Sequence, residues 1–284
     1  MHTWRLRGHT LDLDARPRVV GVLNVTPDSF SDGGRFRDAG PALARARALV
    51  AEGADVLDVG GESTRPGAGE VGADEETARV LPVVRAIKAE LSVPVSVDTR
   101  KAAVAREVLA AGADAVNDVS GLADPEMAGV VAATDAGLVL MHMRGTPETM
   151  QTLTDYDDVA EDVAAELEGP MARAAAAGIG AERIVVDPGV GFAKTAAQNL
   201  ALIAGVGALA RRLGRPVLLG PSRKAFIGHI LGGVPAEARD AGTVGACVAG
   251  LLCGARLFRV HEVRAAREAL LVADAVLRAR EGRG

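Results

Sequence analysis

Short apolar runs alternate with longer amphipathic segments along most of the chain. The short runs are rich in Val, Ile and Leu, and they lack the polar/apolar alternation of a strand with one face in water. Strands covered on both faces give continuous runs of this kind, as in a parallel sheet flanked by helices. The predicted strands are Val19–Asn24, Val56–Gly60, Val95–Asp98, Ala115–Asn117, Leu138–His142, Ile184–Asp187, Val217–Gly220 and Leu257–Val260.

The segments between these strands carry apolar residues at helical spacing. The predicted helices are Pro41–Glu52, Asp74–Leu91, Lys101–Ala111, Val159–Ala177, Gln198–Leu213, Ala238–Cys253 and, after the last strand, Val263–Arg280. Eight strand–helix alternations without a low-complexity break favour one closed (β/α)₈ barrel over a doubly wound sheet. We therefore expect a single domain over residues 1–284, in which the segment Thr3–Leu13 forms a hairpin that closes the barrel floor.

Four glycines follow helical patterns and are predicted to end them. They are Gly112, Gly137, Gly178 and Gly214. Glycine is favoured at this place because the residue after a helix often has a positive φ.

Composition and charge narrow the choice of partners. The 284 residues are 49% apolar but only 2% aromatic, so the core must consist mainly of Ala, Val, Leu and Ile. A net charge of −5 gives no general attraction to nucleic acid or to an anionic membrane, and we expect neither as a partner. An anionic ligand would have to be bound by a local basic cluster.

The chain shows no apolar segment of membrane or export type. The longest apolar stretch, Gly242–Ala255, is shorter than the roughly 20 residues of a membrane span. The segment Met1–Thr10 lacks the apolar centre of a signal peptide. Cys247 and Cys253 would face different sides of one helix, which makes a bridge between them unfavourable. These features predict a cytoplasmic enzyme with reduced thiols.

Polar residues close each of the predicted strands. In a (β/α)₈ barrel the carboxyl ends of the strands meet at one mouth, where active sites are built. The polar residues at these ends are Asn24, Thr64, Arg65, Asp98, Asn117, Asp118, His142, Asp187, Ser222, Arg223, Lys224, Arg259 and His261. Two local alternatives exist: Asp98 could cap the following helix, and Arg259 with His261 could pair with Glu262. The coincidence of polar residues at all eight ends favours an active site.

One group of these residues suits a heterocycle. Asp98, Asn117, Asp187 and Lys224 form a predicted deep set of hydrogen-bond donors and acceptors. A carboxylate accepts two hydrogen bonds side by side, which matches the edge of an amino-pyrimidine.

A second group suits an anion and a metal ion nearer the rim. It comprises Asn24, Thr64, Arg65, Arg259 and His261. Arginine and protonated histidine bind phosphate oxygens, and the amide oxygen of asparagine is a hard ligand for Mg²⁺.

Other chemistries lack their motifs. The segment Gly189–Thr195 resembles a nucleotide-binding loop, but Ala193 stands where a Walker A loop needs glycine before its lysine. No Cys/His spacing for zinc and no Gly-x-Ser-x-Gly elbow occur in the sequence. These absences argue against zinc hydrolysis and acyl transfer.

Several motifs resemble those of the dihydropteroate synthase family, and the resemblance covers nearly the whole chain. The two longest are Gly-Val-Leu-Asn-Val-Thr-Pro-Asp-Ser-Phe-Ser-Asp-Gly-Gly at 21–34 and Gly-Gly-Glu-Ser-Thr-Arg-Pro-Gly at 60–67. Shorter ones are Ser-Val-Asp-Thr at 96–99, Asn-Asp-Val-Ser-Gly at 117–121, Met-His-Met at 141–143, Asp-Pro-Gly at 187–189, Ser-Arg-Lys at 222–224 and Arg-Val-His at 259–261.

The resemblance implies a role for each matching position. Residues for Mg²⁺ and the pyrophosphate would be Asn24 for the metal ion and Arg65, Arg259 and His261 for the anion. The pterin site would be lined by Thr64, Asp98, Asn117, Met141, Asp187 and Lys224. The 4-aminobenzoate pocket would involve Phe30, Pro66 and Phe192, with two mobile loops at 25–36 and 63–72. The predicted catalytic residues are Asp98, Asp187, Lys224, Arg259 and His261.

The implied activity is a transferase reaction of folate biosynthesis that sulfonamides inhibit. A dihydropterin hydroxymethyl pyrophosphate would condense with 4-aminobenzoate to give dihydropteroate and pyrophosphate. The resemblance also implies a homodimer, for which the apolar helix at 242–254 is the expected interface. Two positions depart from the family pattern: Ala193 replaces a frequent glycine, and Ala225 replaces a hydroxyl residue found in some members.

Two alternatives remain open from the sequence. A pterin-dependent methyltransferase barrel shares the inner acidic and asparagine positions but has no use for a pyrophosphate cluster. A catalytically silent relative that only binds pterin would keep the same residues.

Overall fold

A computed structural model describes residues 2–26, 39–64 and 67–282. In this part of the chain an antiparallel hairpin precedes eight parallel strands, which alternate with helices. The hairpin strands are β1 (Thr3–Leu6) and β2 (His9–Asp12). The parallel strands are β3 (Arg18–Asn24), β4 (Val56–Gly60), β5 (Val95–Asp98), β6 (Ala115–Asp118), β7 (Gly137–Met141), β8 (Ile184–Asp187), β9 (Leu218–Leu219) and β10 (Leu257–Val260).

The parallel strands form a barrel. Their order is β8-β7-β6-β5-β4-β3-β10-β9, and a bridge between Val186 and Val217 joins the two ends of this sheet. The core between sheet and helices consists mainly of Val, Leu, Ile and Ala side chains, as the composition predicted. The predicted (β/α)₈ fold is confirmed, and each predicted strand boundary lies within one residue of the observed one.

The helices surround the barrel. They are α1 (Gly40–Glu52), α2 (Ala73–Glu90), α3 (Ala102–Ala110), α4 (Met127–Ala132), α5 (Val159–Ala176), α6 (Ala196–Leu213), α7 (Ala225–Ile230), α8 (Asp240–Leu252) and α9 (Val263–Arg280). The seven predicted helices are present, with ends within two residues of prediction. The six-residue helices α4 and α7 were not predicted, because fewer than two turns give no readable periodicity. No helix of the described ranges is long and apolar enough to cross a membrane.

Three of the four predicted helix-ending glycines have that role. Gly112, Gly178 and Gly214 follow α3, α5 and α6 with φ values of 100°, 94° and 61°. The prediction for Gly137 is wrong, since this residue begins β7. A Cβ atom on Gly137 would lie 2.7 Å from Cδ2 of Leu6 and 2.9 Å from Nε1 of Trp4. The missing side chain therefore gives the hairpin room to pack.

The hairpin closes the amino-terminal end of the barrel. Trp4, Leu6 and Leu13 are buried there against the lower ends of the strands, in a cluster with Val20, Val56, Ala115, Val139, Val185, Leu218 and Leu257. The indole Nε1 of Trp4 donates a hydrogen bond to the carbonyl oxygen of Arg183 at 3.0 Å. The predicted floor hairpin is confirmed, and the end of the barrel opposite to it is the carboxyl end of the strands, where active sites of this fold lie.

Candidate functional site

Four of the strand-end residues lie in one row across the barrel. Asn24, Gly60, Asp98 and Asn117 are consecutive partners in the register of β3, β4, β5 and β6. A Cβ atom on Gly60 would lie 3.6 Å from Oδ1 of Asn24 and 3.6 Å from Cβ of Asp98. Because glycine has no side chain, the Asn24 amide and the Asp98 carboxylate border a common gap.

A residue that the sequence analysis missed lies directly below this row. Asp58 is 1% exposed, and its Oδ2 accepts hydrogen bonds from Nε of Arg259 at 2.6 Å and from Nδ2 of Asn117 at 3.0 Å. Arg259 also donates from Nη2 to Oδ2 of Asp98 at 2.8 Å. One guanidinium therefore links two carboxylates on neighbouring strands.

This ion-pair network corrects the division into a deep set and a rim set. Arg259 was assigned to the rim, but it is paired with the deep carboxylates Asp58 and Asp98. Pairing of Arg259 with Glu262 is also wrong as an alternative, because Glu262 lies 3.2 Å from Arg223 instead. Burial lowers the pKa of Arg259, but Asp58 and Asp98 outweigh that effect and raise the pKa above its ordinary value. The guanidinium is a permanent cation.

The surroundings of Asp98 and Asp187, the two candidate catalytic carboxyls, disfavour their ionised forms. Burial raises the pKa of Asp98 to about 7, with Arg259 opposing the rise and Asp58 adding to it. Burial raises the pKa of Asp187 to about 6, although the backbone N–H of Gly189 donates to its Oδ1 at 2.7 Å. Asp98 is not a helix cap, since α3 begins at Ala102 with Lys101 in the capping position. Carboxyls with such pKa values can accept or donate hydrogen bonds near neutral pH.

Lys224 and Phe192 contact each other at the mouth. The ammonium Nζ of Lys224 lies 3.8 Å from the centre of the Phe192 ring, within the range of a cation–π contact. Burial and Arg259 lower the pKa of Lys224 to about 8, against the pull of Asp187 and Asp98. Phe192 is 6% exposed and packs in a small cluster with Met141 and Met150. The predicted site residues Met141, Phe192 and Lys224 are thus on one side of the mouth.

The loop that carries Phe192 depends on unusual backbone geometry. At Gly189, φ is 68° and a Cβ atom would lie 1.9 Å from the carbonyl oxygen of His142, so only glycine fits. Ala193 has φ of 49°, in the left-handed region that favours glycine. Alanine at this position therefore carries backbone strain that glycine would not.

His261 is held by the neighbouring loop. Its Nδ1 lies 2.8 Å from Oγ of Ser222, which also accepts from the backbone N–H of His261 at 3.1 Å. Asp118, by contrast, accepts from the backbone N–H groups of Ser120 and Leu122 and therefore shapes a turn. His142 points away from the row of strand-end residues, towards Glu166 and Lys194.

Part of the predicted site lies outside the described residues. These residues are Phe30, Arg65 and Pro66, together with most of the loop at 25–36. In the second loop Thr64 is half-buried, and the backbone N–H of Val71 donates to Oε1 of Glu62 at 2.8 Å. The predicted mobility of the two loops stays a prediction.

Few side chains in the described part of the site could act as ligands of a metal ion. Within ranges 2–26, 39–64 and 67–282, no group of three or more His, Cys, Asp or Glu side chains could hold a metal ion. An oxygen donor at the mouth is the amide Oδ1 of Asn24, which borders the gap above Gly60. An amide oxygen is a hard donor of the kind that Mg²⁺ accepts.

Comparison with known proteins agrees with this geometry. Residues 20–261 match the family of pterin-binding enzymes. Dihydropteroate synthase from Synechocystis is 46% identical over 273 residues, which are 95% of this chain and 94% of that protein. A sulfonamide complex of Yersinia pestis dihydropteroate synthase has a TM-score of 0.90 at 42% identity, over 97% of this chain and 99% of that one.

A further solved structure is equally similar. Burkholderia cenocepacia dihydropteroate synthase complexed with 7,8-dihydropteroate has a TM-score of 0.90 and 44% identity, and 99% of each chain is covered. The family match, residues 20–261, runs from the first barrel strand to the end of the last one and includes every strand end that forms the site. The chain belongs to the dihydropteroate synthase family of pterin-binding enzymes.

Proposed function

We propose that this protein condenses a dihydropterin hydroxymethyl pyrophosphate with 4-aminobenzoate. The amine nitrogen forms a bond to the pterin methylene carbon, the bond from that carbon to the pyrophosphate oxygen breaks, and the amine gives up one proton. The products are dihydropteroate and pyrophosphate. The observation that carries the proposal is the row of Asn24, Asp98 and Asn117 with Arg259 and Asp58 beneath it, at the open end of the barrel.

The carboxyls account for pterin recognition and for charge stabilisation. Asp98 and Asp187 face the mouth from different strands, where they can accept hydrogen bonds from the amino-pyrimidine edge. As pyrophosphate departs, positive charge spreads over the pterin, and buried carboxylates stabilise that charge more strongly than water would. The arylamine is neutral at physiological pH, so its nitrogen can attack without a strong general base.

The cationic side chains account for the leaving group. Arg259 uses Nε and Nη2 for Asp58 and Asp98, so Nη1 is the nitrogen that would donate to pyrophosphate oxygens, together with His261 and Arg65. Asn24 would hold Mg²⁺ beside these oxygens, and the ion would supply Lewis-acid stabilisation of the developing charge. A methyltransferase has no such leaving group, which makes that alternative the weaker one.

Turnover tests the proposal. Purified protein with both substrates and Mg²⁺ should form dihydropteroate and pyrophosphate in equal amounts. Pterin binding without any product formation would instead support a catalytically silent relative. Methyl transfer from a pterin donor would support the other alternative.

The exposed apolar side chains of α8 and α9 support a homodimer, and two free cysteines support a reducing, cytoplasmic setting. Leu252 is 54% exposed, Val272 is 67% exposed and Val276 is 64% exposed, and the two helices pack side by side. Covering such a face with a second copy would remove apolar area from water. Both cysteines are free thiols, and Cys247 is buried within α8. Sedimentation should give twice the chain mass, and Val276→Glu should shift the protein towards monomer.

A further inference from the structure

A buried chain of polar groups lies beside the mouth and has no part in the reaction described above. Lys194 is 5% exposed, and its Nζ lies 3.0 Å from Nδ1 of His142 and 2.9 Å from the carbonyl oxygen of Phe192. His142 is 4% exposed, and its Nε2 lies 2.8 Å from Oε2 of Glu166. Burying a lysine costs free energy unless its hydrogen bonds are satisfied, and we therefore expect this lysine to have a specific role.

The donors and acceptors along these polar side chains have one consistent assignment when Lys194 is protonated. Burial lowers the pKa of Lys194 to about 7, and its ammonium form only donates, so Nδ1 of His142 then accepts from it. The ring proton is then on Nε2 and is donated to Glu166. Burial and the charge of Lys194 lower the pKa of His142 to about 4, which keeps the ring neutral and able to accept. Lys194 donates a second hydrogen bond to the carbonyl oxygen of Phe192.

The hydrogen-bonded side chains Glu166, His142 and Lys194 are anchored at the Glu166 end and hold a strained loop at the Lys194 end. Arg144 donates to Glu166 and stacks 3.8 Å from the centre of the Tyr156 ring. At the inner end, the segment from Gly189 to Ala193 contains positive φ angles and runs close to the backbone of His142. Lys194 is the group that ties the carbonyl of Phe192 to this anchor.

We propose that Lys194 is a positioning residue that sets the affinity for the arylamine by fixing the Phe192 ring. The inference rests on the proposed function, together with the role in the 4-aminobenzoate pocket that the family resemblance implies for Phe192. Nζ of Lys194 is directed at Nδ1 of His142 and at the carbonyl oxygen of Phe192, so its effect on the arylamine would be exerted through Phe192. A lysine that only stabilised the fold would affect both substrates alike, whereas a lysine that acts through Phe192 affects the arylamine selectively.

The test is Lys194→Met, which keeps the length of the side chain but removes its donors. We expect KM for 4-aminobenzoate to rise about tenfold or more, the effect of losing roughly 1.4 kcal/mol of binding, while KM for the pterin pyrophosphate stays within about twofold. In a Phe192→Ala background the same substitution should have little further effect on KM, because its target is gone. The matched control is Lys88→Met: Lys88 pairs with the buried Asp114 at 2.7 Å, at the opposite end of the barrel.

A second measurement does not depend on turnover. The chain has five phenylalanines, so 4-fluorophenylalanine labelling gives few resonances, and Phe192→Ala identifies that of residue 192. This resonance should shift and broaden in Lys194→Met but not in Lys88→Met. An unchanged resonance, or equal rises in both KM values, would overturn the positioning role. Absence of turnover in the unmodified protein would overturn the proposed function, and the resonance would still decide whether Lys194 fixes Phe192.

Discussion

Nε of Arg259 lies 2.6 Å from Oδ2 of Asp58, and this pair joins the last barrel strand to the second. The same Oδ2 also accepts from Asn117, while Oδ1 of Asp58 has no hydrogen-bond partner in the described ranges. Asp58 therefore holds both a cation and an amide of the site in place. Its position in the centre of a buried strand makes the pair sensitive to loss of either member.

Replacing Asp58 with Ala should destabilise the fold and reduce turnover together. Removal of one member of a buried ion pair costs about 3–5 kcal/mol, because the remaining charge loses its compensation. Urea denaturation measures the free energy of unfolding. Asp240→Ala is the matched control: Asp240 pairs with Arg223 at 2.7 Å but is 31% exposed, so its loss should cost at most about 1 kcal/mol. Equal costs for the two variants would contradict a special role for Asp58.

Replacing Asp187 with Ala should weaken pterin binding by about 2–4 kcal/mol, since buried donors on ligand and protein would lose their acceptor. Calorimetry with a pterin that lacks pyrophosphate isolates this contact. If the variant remains folded and binds the pterin normally, Asp187 serves only to shape the Gly189 turn.

The raised pKa of Asp187 also predicts a pH dependence of stability. A carboxyl with a pKa of 3.8 when unfolded and about 6 when folded binds more protons in the folded state between these values. Its contribution is fully present below pH 3.8 and is lost as pH rises through about 6. The total is about 3 kcal/mol, of which about half falls above pH 5. Unfolding free energies at pH 5 and pH 8 should therefore differ less in Asp187→Asn than in the unmodified protein. Parallel pH profiles would count against this account.

Removal of Mg²⁺ should abolish most turnover, and Asn24→Ala should raise the Mg²⁺ concentration needed for half-maximal rate. Loss of a contact to a charged group costs roughly 1.5–3 kcal/mol, which corresponds to about 10–100-fold. The control is affinity for a pterin without pyrophosphate, which should change little. A rate with unaltered Mg²⁺ dependence would remove Asn24 from the metal site.

Sulfonamides should inhibit the enzyme and bind in an obligatory order. The resemblance predicts that the pocket they share with 4-aminobenzoate includes Phe30 and Pro66, and that the anion and the metal ion order the loops at 25–36 and 63–72. We expect weak or no binding to the free protein and ready binding with Mg²⁺ and pyrophosphate. Calorimetric titrations in both conditions make the comparison. Equally tight binding in the two would refute ordered assembly of the pocket, and turnover unaffected by sulfonamide would refute the expected sensitivity.

The sequence predicted the barrel well because its signals are local. A buried parallel strand is a continuous apolar run, and the polar residue that ends it marks the mouth. Asp58 was missed because it interrupts such a run at its centre, although a carboxylate within a buried strand must find a partner. Its partners are distant in sequence: Arg259 is 201 residues away. The same distance hid the pairing of Arg259, since hydrogen-bond partners across the barrel follow from its closure. The partners of His142 are nearer, 24 and 52 residues along the sequence, but they lie on other elements and show no local pattern.

The indole of Trp4 packs into the barrel floor, 1% exposed and bonded to the carbonyl of Arg183. It is the only tryptophan of the chain, and the reaction takes place at the opposite end of the strands. Intrinsic fluorescence of this protein therefore reports whether the hairpin is docked and is nearly silent to occupancy of the mouth. The molecule therefore contains an optical reporter of folding that is spatially separated from the mouth of the barrel.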